Sequence, residues 1–167
     1  MLKVLCRCNR EIEMSWQNNF EEAQRLIERS PDAADFTGGA SSDEIQRAES
    51  LLGLDLPPAY KRFLEVFGCG NYSDVEFFGL IPGNVPADSA PCAIWFTQSE
   101  RSHKDLPRDF VIIYASGFGP LYCLATGEAD AGDCPIREWD YKRIMRNSDD
   151  LVNHSFSEFF LSRIRER

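Results

Sequence analysis

The sequence predicts an α+β fold, a twisted and largely antiparallel β-sheet with helices at its N-terminal and C-terminal ends packed on it. Three observations predict it. Helical periodicity marks residues 15–30 and 41–67, segments rich in β-branched and aromatic residues follow from Val75, and an amphipathic helix closes the chain. Segregated elements of this kind do not supply the alternating order of a parallel sheet. At 167 residues one core is expected, since a chain of this size buries roughly two-thirds of its unfolded surface.

In SWQNNFEEAQRLIERSP, Trp16, Phe20, Ala23 and Ile27 recur at helical spacing and make one apolar face. Ser15 is placed to cap this helix and Pro31 to end it. Residues 31–40, ending TGGA, read as a linker, which makes residues 1–40 a helical extension and 41–167 the domain. The stretch SSDEIQRAESLLG carries a capping box, Ser41 with Glu44, then Ile45, Ala48 and Leu52, and stops at Gly53. A second helix opens at Pro57 or Pro58 and buries Tyr60, Phe63, Leu64 and Phe67 before Gly68. Four strands are expected, at 75–80, 110–115, 120–125 and 135–139. Between the first two, a helix opens near Pro91, loses its apolar face near Ser99 and stops before Pro107. The tail SFSEFFLSRIRER repeats the capping logic with Ser155 and Glu158, and puts Phe156, Phe159, Phe160 and Ile164 on one side.

Lys plus Arg number 18 against 27 Asp plus Glu, a net charge of −9, which repels phosphate backbones and anionic lipid and argues against nucleic acid as a partner. Residues 72–140 hold most of this charge, with eleven acids against four bases. No apolar run approaches the roughly 20 residues that cross a bilayer, and the opening MLKVLCRCNREIEM has no sustained hydrophobic segment of a secretory signal. The expectation is a cytoplasmic protein without a membrane partner, its six cysteines reduced.

The stretch YASGFGPLYCL sets Gly117 and Gly119 astride an aromatic, but Pro120 and another strand follow where a dinucleotide loop needs a helix. It reads as a turn between two strands. Ser116 lies outside any GxSxG elbow. Zinc would need CxxC pairs or clustered histidines; Cys6 and Cys8 form a lone CxC, and His103 and His154 are far apart. Cys123 sits in an apolar strand pattern, and the acids around Cys134 would raise its pKa. Cys69, between glycines, is the one thiol expected at the surface, and a cysteine hydrolase would have to use it. No metal, cofactor or catalytic residue is assigned. What stands out is GEADAGDCPIREWDY, with Glu128, Asp130, Asp133, Glu138 and Asp140 opposed only by Arg137. It is either a solvated turn or, beside Trp139 and Tyr141, an acid-and-aromatic patch that docks a basic protein surface.

Several of these pieces recur in a fixed order. Glu49 lies inside a helix, the Leu56-Pro57 step follows, then Tyr60, Phe63 and Leu64, and a Gly70-Asn71 turn. TQSER supplies Thr97 and Arg101 before Leu106-Pro107, FVIIYASGFGPLYCL forms a central hairpin, and GDCPIREWD a Gly-x-Cys-Pro strand. Together they resemble the SUKH superfamily over about residues 41–161. The resemblance implies the α+β fold already read from the pattern, and no catalysis. It also implies a non-enzymatic binder: a bacterial immunity protein that occludes the active cleft of a cognate toxin, often a nuclease, or a regulator or scaffold of the fungal cell-wall type. The residues expected to meet the partner are the five acids, with Trp139 and Tyr141 as anchors and Tyr72 and Trp95 behind them.

Overall fold

Helix α1 (Leu2–Arg29) begins well before Ser15, in a stretch with no proline or glycine to stop it. The computed structural model describes residues 2–115, 117, 119–140 and 150–167, with residues 2–15 as helical backbone alone. The expected face of α1 is buried at Phe20, Ala23 and Ile27. The expected linker at 31–40 is instead a 3-10 turn at Pro31–Ala33 followed by a strand, β1 (Ala34–Phe36). Three residues show no alternation to read, and tertiary pairing makes the strand: β1 runs antiparallel to β2 (Gly70–Tyr72), with Phe36 opposite Gly70. Gly70 has a φ of 139°, and a Cβ there would strike the Asp35 carbonyl, so only glycine lets the two strands close.

Helix α2 (Ser42–Leu52) starts with the expected reciprocal cap. The Glu44 amide donates to Ser41 Oγ at 3.3 Å, and the Ser41 amide to Glu44 Oε2 at 2.8 Å. It ends at Gly53 in the left-handed region. Helix α3 (Pro58–Val66) buries Tyr60, Phe63 and Leu64 as expected. β3 (Val75–Phe77) completes a sheet of order β1-β2-β3 and is shorter than the 75–80 run, because the Phe78 amide turns to donate to the Ile113 carbonyl at 2.8 Å.

Helix α4 (Ala93–Lys104) is followed by β4 (Phe110–Ala115), β5 (Leu121–Ala125), β6 (Ile136–Trp139) and β7 (Leu151–Asn153). These four form a second antiparallel sheet in chain order. β4 and β5 pair across the Gly117–Gly119 segment, with Ala115 opposite Leu121, which is the expected hairpin. The α+β class stands, with two sheets where one was expected and with β7 unforeseen. Helix α5 (Phe156–Arg165) packs beside α1. Phe63 sits among Phe160, Phe156 and Phe77 at ring distances of 5.3, 5.8 and 6.1 Å, which joins α3, α5 and β3 in one aromatic core.

Candidate functional site

The acidic stretch forms a tight loop between β5 and β6. A 3-10 turn at Thr126–Glu128 leads to a two-residue reversal in which the Asp130 and Asp133 amides each donate to the other's carbonyl, at 2.9 and 3.0 Å. Ala131 and Gly132 both take positive φ, 48° and 89°, as such a reversal requires. The loop is seated on the core. The Gly132 carbonyl accepts from the Ala59 amide at 2.9 Å, and a Cβ on Gly132 would lie 2.8 Å from the Trp16 indole nitrogen.

The loop's acids divide into two kinds. Asp130 and Glu128 are exposed, and Glu128 receives Arg137 through both carboxylate oxygens, at 2.6 and 2.7 Å, which holds its carboxyl below the usual range. Asp133 is not a surface residue as expected. It is 6% exposed, and its carboxylate accepts from the amides of Cys134, Phe156 and Ser157 at 2.8, 2.9 and 3.1 Å, so it satisfies the orphan donors at the start of α5. Burial raises its pKa against the pull of these donors. Tyr72, expected behind the anchors, is likewise buried, at the β2–β3 turn. Tyr141 lies outside the described residues.

Strand alternation separates the rest. On β6, Glu138 stands opposite Tyr122, whose ring meets Phe159 of α5. Glu138 therefore belongs to the α5 face of the sheet. Trp139 stands opposite Leu121, and Arg137 opposite Cys123. Cys123 feels the Glu100 carboxylate of α4, so Trp139 and the Arg137–Glu128 pair share the α4 face. Trp139, Glu138 and Asp140 are half-buried. Trp95, on the outer side of α4, is 39% exposed. The register thus puts Trp139 and the Arg137–Glu128 pair on the face of β6 opposite to Glu138.

The thiols are built for packing. Cys69, expected at the surface, is fully buried, along with Cys92, Cys123 and Cys134, and all four are free. Glycines on both sides suggested exposure, but β1 and Thr37 cover Cys69. Burial pushes the thiols of Cys69, Cys123 and Cys134 above their ordinary pKa, away from a reactive thiolate. His103 Nδ1 lies 2.8 Å from the Ser99 carbonyl one turn earlier on α4, and His154 is exposed. Among the described residues no three His, Cys, Asp or Glu side chains gather to hold a metal ion, and no helix is long and apolar enough to cross a membrane.

The sequence of residues 17–165 matches the family SUKH_5, described as SMI1-KNR4 cell-wall. The chain belongs to this family. The structure shows what the motif residues that suggested SUKH do, and each acts inside the scaffold. Glu49 Oε1 accepts from the Leu56 amide at 2.7 Å and pairs with Lys61 Nζ at 2.6 Å, which ties α2 to α3 across their joint. The Tyr60 hydroxyl donates to the Phe78 carbonyl at 2.8 Å in the core. Buried Thr97 Oγ1 accepts from the Ile112 amide at 3.0 Å and docks α4 on β4. Arg101 donates to the carbonyls of Leu52 and Arg108, at 2.8 and 2.6 Å, and so holds the end of α2 to the start of β4. SUKH_5 membership is therefore written in the interior, and the partner of this member must be read from its surface. On that surface the sequence reading passed over Leu51, 38% exposed on α2. Its signal was an apolar residue off the Ile45, Ala48, Leu52 stripe.

Proposed function

We propose that this SUKH_5 chain is an immunity protein that binds a cognate toxin stoichiometrically and occludes its active cleft. The observation that carries the reading is the loop at 126–133, seated on the core by backbone hydrogen bonds and presenting Asp130 beside the Glu128–Arg137 pair, on a chain of net charge −9. A toxin that holds nucleic acid needs positive charge, and an acidic face competes for that field and steers encounter, to about 10⁸ M⁻¹s⁻¹ or more at low salt. Trp139 and Trp95 are the candidate apolar anchors, with Glu138 and Asp140 contributing to the field. The family's cell-wall description favours a second reading, a regulator or scaffold that binds a housekeeping partner of the cell wall.

Co-purification from the native host with mass spectrometry separates the two. A single stoichiometric toxin domain is the expected result, and a cell-wall enzyme would favour the second reading. With that toxin in hand, Asp130→Lys should slow association several-fold and flatten its dependence on salt. An unchanged rate and salt slope would remove the loop from the interface.

A further inference from the structure

We infer that Arg163, Tyr114 and Tyr122 form a docking site for a carboxylate-bearing segment of a partner protein, on the face of the second sheet against which α5 packs. The inference takes from the previous subsection only that this chain acts by binding protein. It assigns the face opposite to Trp139 and the Arg137–Glu128 pair.

The register of β4 with β5 builds the site. Tyr114 stands directly opposite Tyr122, so both side chains rise from one face of the sheet, and their rings stack with centroids 5.2 Å apart. Buried Phe159 of α5 meets both rings edge-on, at 6.0 and 5.9 Å, and forms the floor. One turn later on α5, the guanidinium carbon of Arg163 lies 5.8 Å from the Tyr114 ring centroid, 6.0 Å from that of Tyr122 and 5.2 Å from that of Phe159. Three rings thus fix one guanidinium. Tyr114, Tyr122 and Arg163 all remain half-buried, so a partner can still reach them. Tyrosine and arginine held this way lose little conformational entropy on binding.

The hydrogen-bonding capacity of the cluster is largely unused. Arg163 Nε is buried with no hydrogen-bond partner, and Nη1 donates to Glu166 Oε2 at 3.1 Å. Neither tyrosine hydroxyl is hydrogen-bonded among the described residues. The Glu166 side chain is 54% exposed, and a surface pair of this kind contributes little. Glu166 is therefore a placeholder that a partner's carboxylate can displace. Charge selects that occupant. The other bases at the end of α5 are spent, Arg165 on Glu22 and Arg167 on Asp74, which leaves one cation and two neutral hydroxyls to meet the ligand. Glu138 stands beside Tyr122 on the same face. A single negative charge suits this set, whereas a dianionic phosphate would face Glu138 with only one guanidinium to neutralise it.

The test is selection of peptides from a random 12-residue display library on the full-length chain, then affinity measurement with the enriched acidic peptides as probes. A chain of net charge −9 repels acidic peptides in general, so their enrichment has to come from a local site. The expected result is a class of peptides that carry Asp or Glu next to an aromatic or aliphatic residue. Their binding should weaken about tenfold or more in Arg163→Gln, weaken in Arg163→Lys, which loses the planar fork, and fall with added salt. Glu166→Gln, at an exposed position, should tighten it several-fold by freeing the fork. Unchanged circular dichroism checks that each variant keeps the fold. No acidic class, full affinity in Arg163→Gln, or no gain in Glu166→Gln would overturn the inference. If only basic peptides are enriched and Asp130→Lys removes them, this site falls while the loop reading stands; if acidic peptides bind as expected but no toxin co-purifies from the native host, the loop reading falls and this site stands.

Discussion

Asp133 shows how far one side chain's role depends on where the chain folds. In the sequence it is one acid among five, indistinguishable from Asp130 three residues away. In the structure Asp130 is exposed while Asp133 holds the amide of Cys134 and two amides at the start of α5. The difference arises from contacts 23 and 24 residues distant, which no local pattern encodes. Asp133→Ala should cost about 2–4 kcal/mol, because three buried donors lose their acceptor at once. Asp133→Asn, which keeps one acceptor oxygen, should cost less. The pH dependence has a definite sign. Burial raises the folded pKa above the ordinary aspartate value of 3.8, so the native state binds this proton more tightly than the unfolded chain. The stability gained from protonation is full below 3.8 and is lost as pH rises through the folded value. Urea unfolding of the natural chain and of Asp133→Asn should therefore show their difference shifting in favour of the natural chain between neutral pH and pH about 4. A difference that is flat with pH would mean that the amide donors cancel burial.

At the scale of elements, the legible parts were those whose signals are local. The capping box at Ser41, the stop at Gly53, the proline start of α3 and the run Phe110–Ala115 all carry their cause within a few residues. β1 and β7 do not; each is three residues long and exists because a neighbour supplies the ladder. The site was legible only in composition. The acids and tryptophans were visible, but the alternation that puts Glu138 and Trp139 on opposite faces needed the register with β5. Glu49 joins the two levels, since a helix-internal acid reads as a solvated face yet reaches seven residues on to the Leu56 amide. Glu49→Gln keeps an acceptor for that amide and loses the Lys61 pair, and should cost below about 1 kcal/mol. Glu49→Ala leaves the amide without its acceptor and should cost about 1–3 kcal/mol. Chemical denaturation of the two variants checks the order; equal losses would show that the joint does not depend on that hydrogen bond.

For the molecule as a whole, the question is whether the N-terminal helix is an appendage or part of the cooperative unit. Phe20 of α1 lies 5.8 Å from Phe160 of α5 and 5.9 Å from Phe67 at the end of α3, and Phe63 lies 5.3 Å from the same Phe160. Both rings thus meet α5, one from the segment first read as an extension and one from the heart of the domain. An appendage would shed its ring at little cost to the remainder. Shared packing makes the two losses equivalent, because each leaves a cavity against a common wall. Phe20→Ala and Phe63→Ala should each lower stability by about 3–5 kcal/mol and keep a single unfolding transition. Thermal unfolding followed both by near-ultraviolet signal and by amide exchange decides it. If Phe20→Ala released α1 in a separate early step while the rest melted unchanged, the helix would be a docked accessory, and the working unit would shrink to the residues beyond 40.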